Sequence, residues 1–259
     1  GAPAPLLLNT YSGAAAAYSL RLLDNAYTGS AIRVRRASDN AEQDIGFDNN
    51  ELDTSALATF CSGTNGFVKT WYDQSGNGND AEQTTPAFQP KIYDSATGVV
   101  PENGKPAIQF DGSSDALNTT ASISATASDY TIYFVENRPQ SVNYSFDTSA
   151  GRIILGNNQG AYYDGAFQGL SLTQGAQALN GYYLLNAGAY ISENGSVTQS
   201  GLSYTRRAIS GSTSLFAHNN QSSRFVSGNL QAVIIYPSDQ SSNRTGIETN
   251  INDFYSIYT

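Results

Sequence analysis

From residue 60 onward, short apolar or aromatic runs recur between clusters of Gly, Asn, Asp and Ser: GFVKTWYD, KPAIQFDG, DYTIYFVE, GRIILGN, GYYLLNAGAYI, TSLFAH and GNLQAVIIYPSD. Runs this short, bounded by turn formers, read as strands, and the spacing does not alternate strand with helix. The expected fold class is all-β, a two-sheet antiparallel sandwich. Upstream, AIRVRRAS sets Ile32 and Val34 against Arg33 and Arg35 with period two, a half-buried strand whose arginines face solvent or pair with Asp39, Glu42 and Asp44.

Helices are expected only near the ends. AAAAYSLRLLDN, Ala14 to Asn25, combines strong helix formers with Ser12 as N-cap. A closing helix over 240–257 follows from Ile247, Ile251, Phe254, Tyr255 and Tyr258, which recur at three and four residues. No linker-like stretch or internal repeat divides the chain, so one domain over 1–259 is expected, with 1–13 as an extended N-terminal segment.

A net charge of −9 argues against nucleic acid, whose phosphates need a concentrated basic surface. Cys61 is the single cysteine, so no intrachain disulfide or Cys-based metal site is available, and it reads as a small buried hydrophobe. No apolar run reaches the roughly 20 residues of a membrane helix. Met is absent altogether, position 1 included, which points to a processed or excised piece of something longer.

Two segments, KPAIQFDGSSDAL and GNLQAVIIYPSDQSSNRTGIETNINDFYSIY, resemble the concanavalin A-like superfamily of laminin-G-like and pentraxin-like jelly rolls. A narrower resemblance runs through AYSLRLLDNAYTGSAIRVRRASDN and TFCSGTNGFVKTWYDQSGNGNDAEQT, sharpest at Tyr72 to Asn79. It is to the catalytic domain of the α-L-arabinofuranosidase B family, itself a concanavalin A-like jelly roll. Similar segments also occur in phage tail and appendage proteins and in marine bacterial surface proteins. The resemblance implies a jelly-roll sandwich, a nucleophilic Glu in a mid-domain strand and an acid/base Asp in a Gly-rich turn before the last strand.

A retaining glycosidase needs two carboxyl groups about 5 Å apart, an inverting one a wider pair. Between Thr148 and Ser192 the one acid is Asp164, and GLSLTQG carries Ser171, Thr173 and Gln174 where the resemblance places the nucleophile. From Asn194 to Pro237 there is no Asp or Glu, and the turn HNNQSSRF offers Asn219 or Asn220 instead of the acid/base. Both expected carboxylates are missing, which argues against catalysis. A hydrolase would need another pair, drawn from Asp73, Asp80, Asp111, Asp115 and Asp164. His218 is the sole histidine, and no G-x-S-x-G elbow supplies a serine for a triad.

Three clusters are candidates for glycan contact. Trp71, Tyr72, Asp73 and Asn77 combine aromatic faces with amide and carboxylate groups, although the Asn-Gly turns and Asp73 read more readily as a loop staple and Trp71 as core. Tyr162, Tyr163, Asp164, Phe167 and Gln168 lie where the related enzyme has its substrate cleft, with cross-strand packing as the alternative. His218, Asn219, Asn220 and Arg224 would face the same cleft. Asp111 and Asp115 are weak calcium candidates against an Asx turn, and no cofactor is otherwise expected.

The sequence favours a non-catalytic carbohydrate-binding or adhesion domain, extracellular or on a virion surface such as a phage tail or capsid appendage, or on a bacterial surface protein. Its partner would be a cell-surface, plant or algal polysaccharide, without nucleic acid or membrane insertion, in a homo-oligomer or as part of a larger chain or particle. The alternatives are a glycoside hydrolase related to the arabinofuranosidases and a structural decoration domain.

Overall fold

The period-two segment at 32–36 becomes a strand, Ile32–Arg36, paired antiparallel with Glu42–Ile45 on one side and Gly66–Trp71 on the other. Arg33 pairs with Glu42 at 2.8 Å and Asp44 at 3.1 Å, and Arg36 with Asp39 at 2.8 Å, as the charge pattern predicts. Arg35 departs from it and is buried. The turn Pro86–Phe88 lies over its guanidinium, Nη2 donates to Pro86 O at 3.2 Å and Nε to Gln89 Oε1 at 2.7 Å.

A computed structural model describes residues 5–119, 122–123, 128–138, 144–150, 153–157, 160–163, 166–170, 172, 175–205, 209–217 and 223–259. The protein is an antiparallel β-sandwich. From Gly66–Trp71 the larger layer continues through Lys91–Asp94, Ile108–Asp111, the last strand Ser227–Tyr236, Tyr130–Asn137, Gln177–Leu185 and Gly188–Glu193 to Ser196–Leu202. The smaller layer runs Leu117–Asn118, Ser210–Leu215, Phe146–Ala150, Ile154–Asn157 and Gly160–Tyr163. Ala81–Glu82 pairs with both Gly66–Trp71 and Leu117–Asn118 and so joins the layers along one side.

The strand Tyr130–Asn137 explains why its sequence is an apolar run without alternation. Tyr130, Ile132 and Phe134 enter the core between the layers, whereas Tyr133 and Val135 enter a second core under the helices. A strand covered on both faces has no reason to carry polar residues at every second position.

The helix expected over Ala14–Asn25 is a correction. Ala16–Ser19 is a strand, paired with Ala232–Ile235 of the last strand, and the N-terminal helix is a single turn upstream, Leu7–Thr10 (α1). Alanine favours helix only where packing is indifferent. Here Ala16 and Tyr18 fill the inter-layer core and Ala17 the second one, so the strand is buried on both sides and tertiary burial decides.

A second short helix, Thr54–Phe60 (α2), is capped by Asp53, whose carboxylate accepts from Ala56 N at 2.9 Å. The closing helix is Arg244–Tyr255 (α3), inside the expected span. Its buried stripe of Ile247, Ile251 and Tyr255 supplies roughly 1.5–3 kcal/mol per side chain against the sheet. Glu248 is buried in the same stripe and accepts from Arg244 Nη1 at 2.8 Å, Ser192 Oγ at 2.5 Å and Tyr183 OH at 3.1 Å. A buried carboxylate with three donors is tolerated where an unpaired one would not be.

Candidate functional site

The segment Trp71–Asp80 is built as a staple. Trp71 is fully enclosed in the core, its ring 5.7 Å from that of Tyr18, so neither face of the indole is open to a ligand. Asp73 is buried and accepts from Ala17 N at 2.8 Å, Ser75 N at 2.9 Å, Ser75 Oγ at 2.7 Å and Asn79 N at 3.0 Å. Tyr72 is half-buried with its hydroxyl on Asp44, and Asn77 donates to Ala14 O and Ala15 O, both at 3.1 Å. Asp80 accepts from Asp73 N at 2.8 Å, and burial pushes its carboxyl above the usual range. The polar groups of this loop satisfy the backbone of the Ala14–Arg21 segment.

In the second cluster Tyr162 is buried with its hydroxyl donating to Ser203 O, and Tyr163 packs its ring on Phe167 at 5.2 Å. Phe167 and Gln168 are half-buried. Asp164, His218, Asn219 and Asn220 lie outside the described residues, as do Ser171, Thr173 and Gln174. Arg224 is exposed, with its guanidinium 6.0 Å from the Tyr144 ring centre.

Of the acids named as a possible catalytic pair, Asp111 and Asp115 line a depression among the described residues. A groove of about 560 Å³ opens on the outer face of the larger layer. In Ile108–Asp111, Ile108 and Phe110 point into the core, which leaves Gln109 and Asp111 outward. Gln109 is registered with Asn229, Asp111 with Ser227, and Asn137 with Asn229, so three adjacent strands set a polar floor. Lys91 and Phe67 complete it. Gly112 makes the bend after Asp111 with φ +75°, and a Cβ there would meet Ser227 Cβ at 2.7 Å.

Each carboxylate of the turn accepts the other's backbone N–H, Asp111 Oδ1 from Asp115 at 3.0 Å and Asp115 Oδ2 from Asp111 at 2.9 Å. Burial acts to raise Asp111, but Ser113 N and Oγ, Ser114 N and Asp115 N outweigh it and hold its carboxyl far below the usual range. Asp115 has the opposite environment. Burial, reinforced by the Asp111 charge, pushes its carboxyl up to about 7. One group is thus fixed as an anion while its neighbour holds a proton near neutrality, the division of labour that acid–base chemistry uses. Among the described residues no three His, Cys, Asp or Glu side chains gather as a metal site.

Sequence reading singled out Asp111 and Asp115 but not Lys91, Gln109, Asn137 and Asn229. The outward phase of IQFD was the available signal for Gln109. Asn137 follows one apolar run and Asn229 precedes another, and only the pairing of their strands brings them together.

The α-L-arabinofuranosidase B catalytic-domain profile matches residues 9–165, more than half of the chain. The α-L-arabinofuranosidase B of Penicillium canescens is 38% identical over 68 residues, which is 26% of this chain and 15% of that protein. The α-L-arabinofuranosidase of Hypocrea jecorina is 38% identical over 73 residues, 28% of this chain and 15% of that one. Among solved structures, a GH54 α-L-arabinofuranosidase soaked with a cyclic sulfate inhibitor superposes with TM-score 0.69 at 18% identity, covering 98% of this chain and 65% of that one. An arabinofuranosidase complexed with arabinofuranosyl-α-1,2-xylobiose gives 0.65 at 19%, covering 95% and 64%. The chain thus spans just under two thirds of these solved enzymes and a small part of the curated ones. These matches overturn the expectation of a non-catalytic binding or adhesion module and leave phage-tail, virion and receptor-binding roles without support. The chain belongs to the family of α-L-arabinofuranosidase B catalytic domains.

Proposed function

We propose that this domain is a glycoside hydrolase that releases arabinofuranosyl groups from an extracellular polysaccharide, with the Asp111–Asp115 groove as its acid–base site. What supports the site is the placing of two carboxylates, each bonded to the other's backbone N–H, in one open groove, with environments that act on their protons in opposite directions. Where the resemblance expects the acids the sequence carries Ser171, Thr173 and Gln174 and Asn219 or Asn220, so this reading takes other acids for the chemistry. Asp73 and Asp80 are spent on the staple, and Asp164 lies outside the described residues. Asp111 and Asp115 line the groove. The concanavalin A-like jelly roll is the superfamily we assign to the sandwich.

In this reading Asp115 gives its proton to the glycosidic oxygen as the bond to the sugar's anomeric carbon breaks. The ionised Asp111 stabilises the positive charge that develops on the ring, and a water molecule supplies the hydroxyl of the released arabinose and returns a proton to Asp115. Gln109, Asn137, Asn229 and Lys91 offer donors and acceptors for ring hydroxyls. No further cofactor enters the reaction. The test is incubation with arabinoxylan and arabinan followed by chromatography of the products: free arabinose from the wild type and none from Asp115→Asn supports the reading, and equal release from both overturns the site.

A further inference from the structure

A second, smaller pocket of about 200 Å³ lies between the turn after Phe47–Asp48, the segment after Ala16–Ser19 and the second half of α3. Its walls include Arg21, Asn49, Asn50, Asn250, Asp253 and Phe254. The hairpin Phe47–Leu52 turns on Asn49 and Asn50, both left-handed at φ 48° and 65°, a two-residue turn for which asparagine is suited. The turn is tied down through its backbone, Leu22 N donating to Asn50 O at 2.8 Å. The Asn49 and Asn50 side-chain amides and the Asp253 carboxylate make no hydrogen bond to the described residues.

Arg21 is buried, yet no carboxylate of the described residues lies within ion-pair distance. Its Nη2 donates to Asn250 Oδ1 at 2.7 Å and Asn250 O at 3.3 Å, and its guanidinium lies 4.9 Å from the Phe254 ring centre. Lys105 Nζ stands 4.2 Å from the same ring centre and is paired with Glu51 at 2.9 Å. The charged groups at the pocket are therefore two cations, Arg21 and Lys105, and two anions, Glu51 and Asp253. That balance favours neither an anion nor a metal cation. What remains are unpaired amides, a carboxylate acceptor and a guanidinium donor on rigid elements, and a ring hydroxyl, both donor and acceptor, answers all three.

The hairpin Pro101–Pro106 connects this pocket with the groove. Glu102 accepts from Asn137 Nδ2 at 3.1 Å and Asn229 Nδ2 at 2.7 Å, two groove residues, while Lys105 three positions on stacks at Phe254. A chain bound in the groove could therefore cross this hairpin into the pocket.

We propose that the Arg21 pocket is an accessory site that holds one neutral glycosyl unit of the polysaccharide on which the groove acts. The identity of that glycan rests on the hydrolase reading, and the pocket's affinity for a neutral sugar does not. The test is a titration of the ¹⁵N-labelled full chain with methyl α-L-arabinofuranoside and with an arabinofuranosyl xylo-oligosaccharide, followed at the side-chain amides of Asn49, Asn50 and Asn250. Saturable shifts are expected, with Kd raised at least fivefold in Asp253→Ala, an exposed position chosen because it does not threaten the fold, and in Arg21→Lys. Absence of shifts in the wild type, or shifts indifferent to Asp253→Ala, overturns the pocket whatever the turnover. Shifts that persist in a protein releasing no arabinose support the pocket and overturn the hydrolase reading instead.

Discussion

Asp111 and Asp115 hold each other's backbone N–H at 3.0 and 2.9 Å, yet they sit at opposite ends of the carboxylate range. The cause is an unequal share of donors. Asp111 takes the N–H and hydroxyl groups of Ser113 and Ser114 as well, and Asp115 is left with burial and its neighbour's charge. A proton donor with a carboxyl near 7 gives activity that declines as pH rises through 7, and a pH–rate profile on an aryl arabinofuranoside checks it.

The same pair predicts a stability trend. The Asp115 carboxyl is raised from 3.8 to about 7 on folding, so the folded state holds the proton more tightly than the unfolded chain. Its contribution is fully present below about pH 4 and is lost as pH rises through 7. Asp115→Asn, neutral throughout, removes that slope, and its stability relative to wild type improves between pH 4 and pH 8 by about 2 kcal/mol, half the full worth of the shift because solvent screens part of the carboxyl. A relative stability independent of pH would contradict the raised carboxyl.

Gln74 is buried and spans the staple, accepting from Leu23 N at 2.8 Å and donating to Ser19 O and Arg21 O, both at 3.0 Å. Gln74→Ala leaves three backbone groups without partners and costs about 2–4 kcal/mol, measurable by denaturant unfolding.

Trp71 is the sole tryptophan and is fully buried. Its emission should be blue-shifted, poorly quenched by acrylamide and unchanged by saturating arabinofuranosyl oligosaccharide, with a red shift only on unfolding. Cys61 lies in the same core, where burial pushes its thiol up to about 11. A thiol reagent should therefore react at neutral pH only after denaturant is added.

Legibility in the sequence followed the range of the forces involved. The strand at Ile32–Arg36 and the buried stripe of α3 were readable because their periodicity is local. The Asx turn after Phe110 was also readable, since Asp111, Ser113 and Ser114 bond within four residues. The helix expected over Ala14–Asn25 was a misreading because the strand partners of Tyr18 and Ala16, Val233 and Ile235, lie more than two hundred residues away. Trp71 and Tyr162 stood open between core and platform for the same reason, since aromatic residues in a turn-rich segment carry no mark that tells core from surface, and both are core. The groove was half visible: its acids share one turn, and its amides come from strands distant in sequence.

The most direct test of the central claim is release of 4-nitrophenol from 4-nitrophenyl α-L-arabinofuranoside by the wild type, Asp115→Asn and Asp111→Asn, with folding verified by melting. Release by the wild type is expected, with a loss of at least a hundredfold in Asp115→Asn and a lesser loss in Asp111→Asn accompanied by a lower apparent pKa in the pH–rate profile. Undiminished release by Asp115→Asn, or none from a folded wild type on this substrate and on arabinoxylan, would contradict that claim.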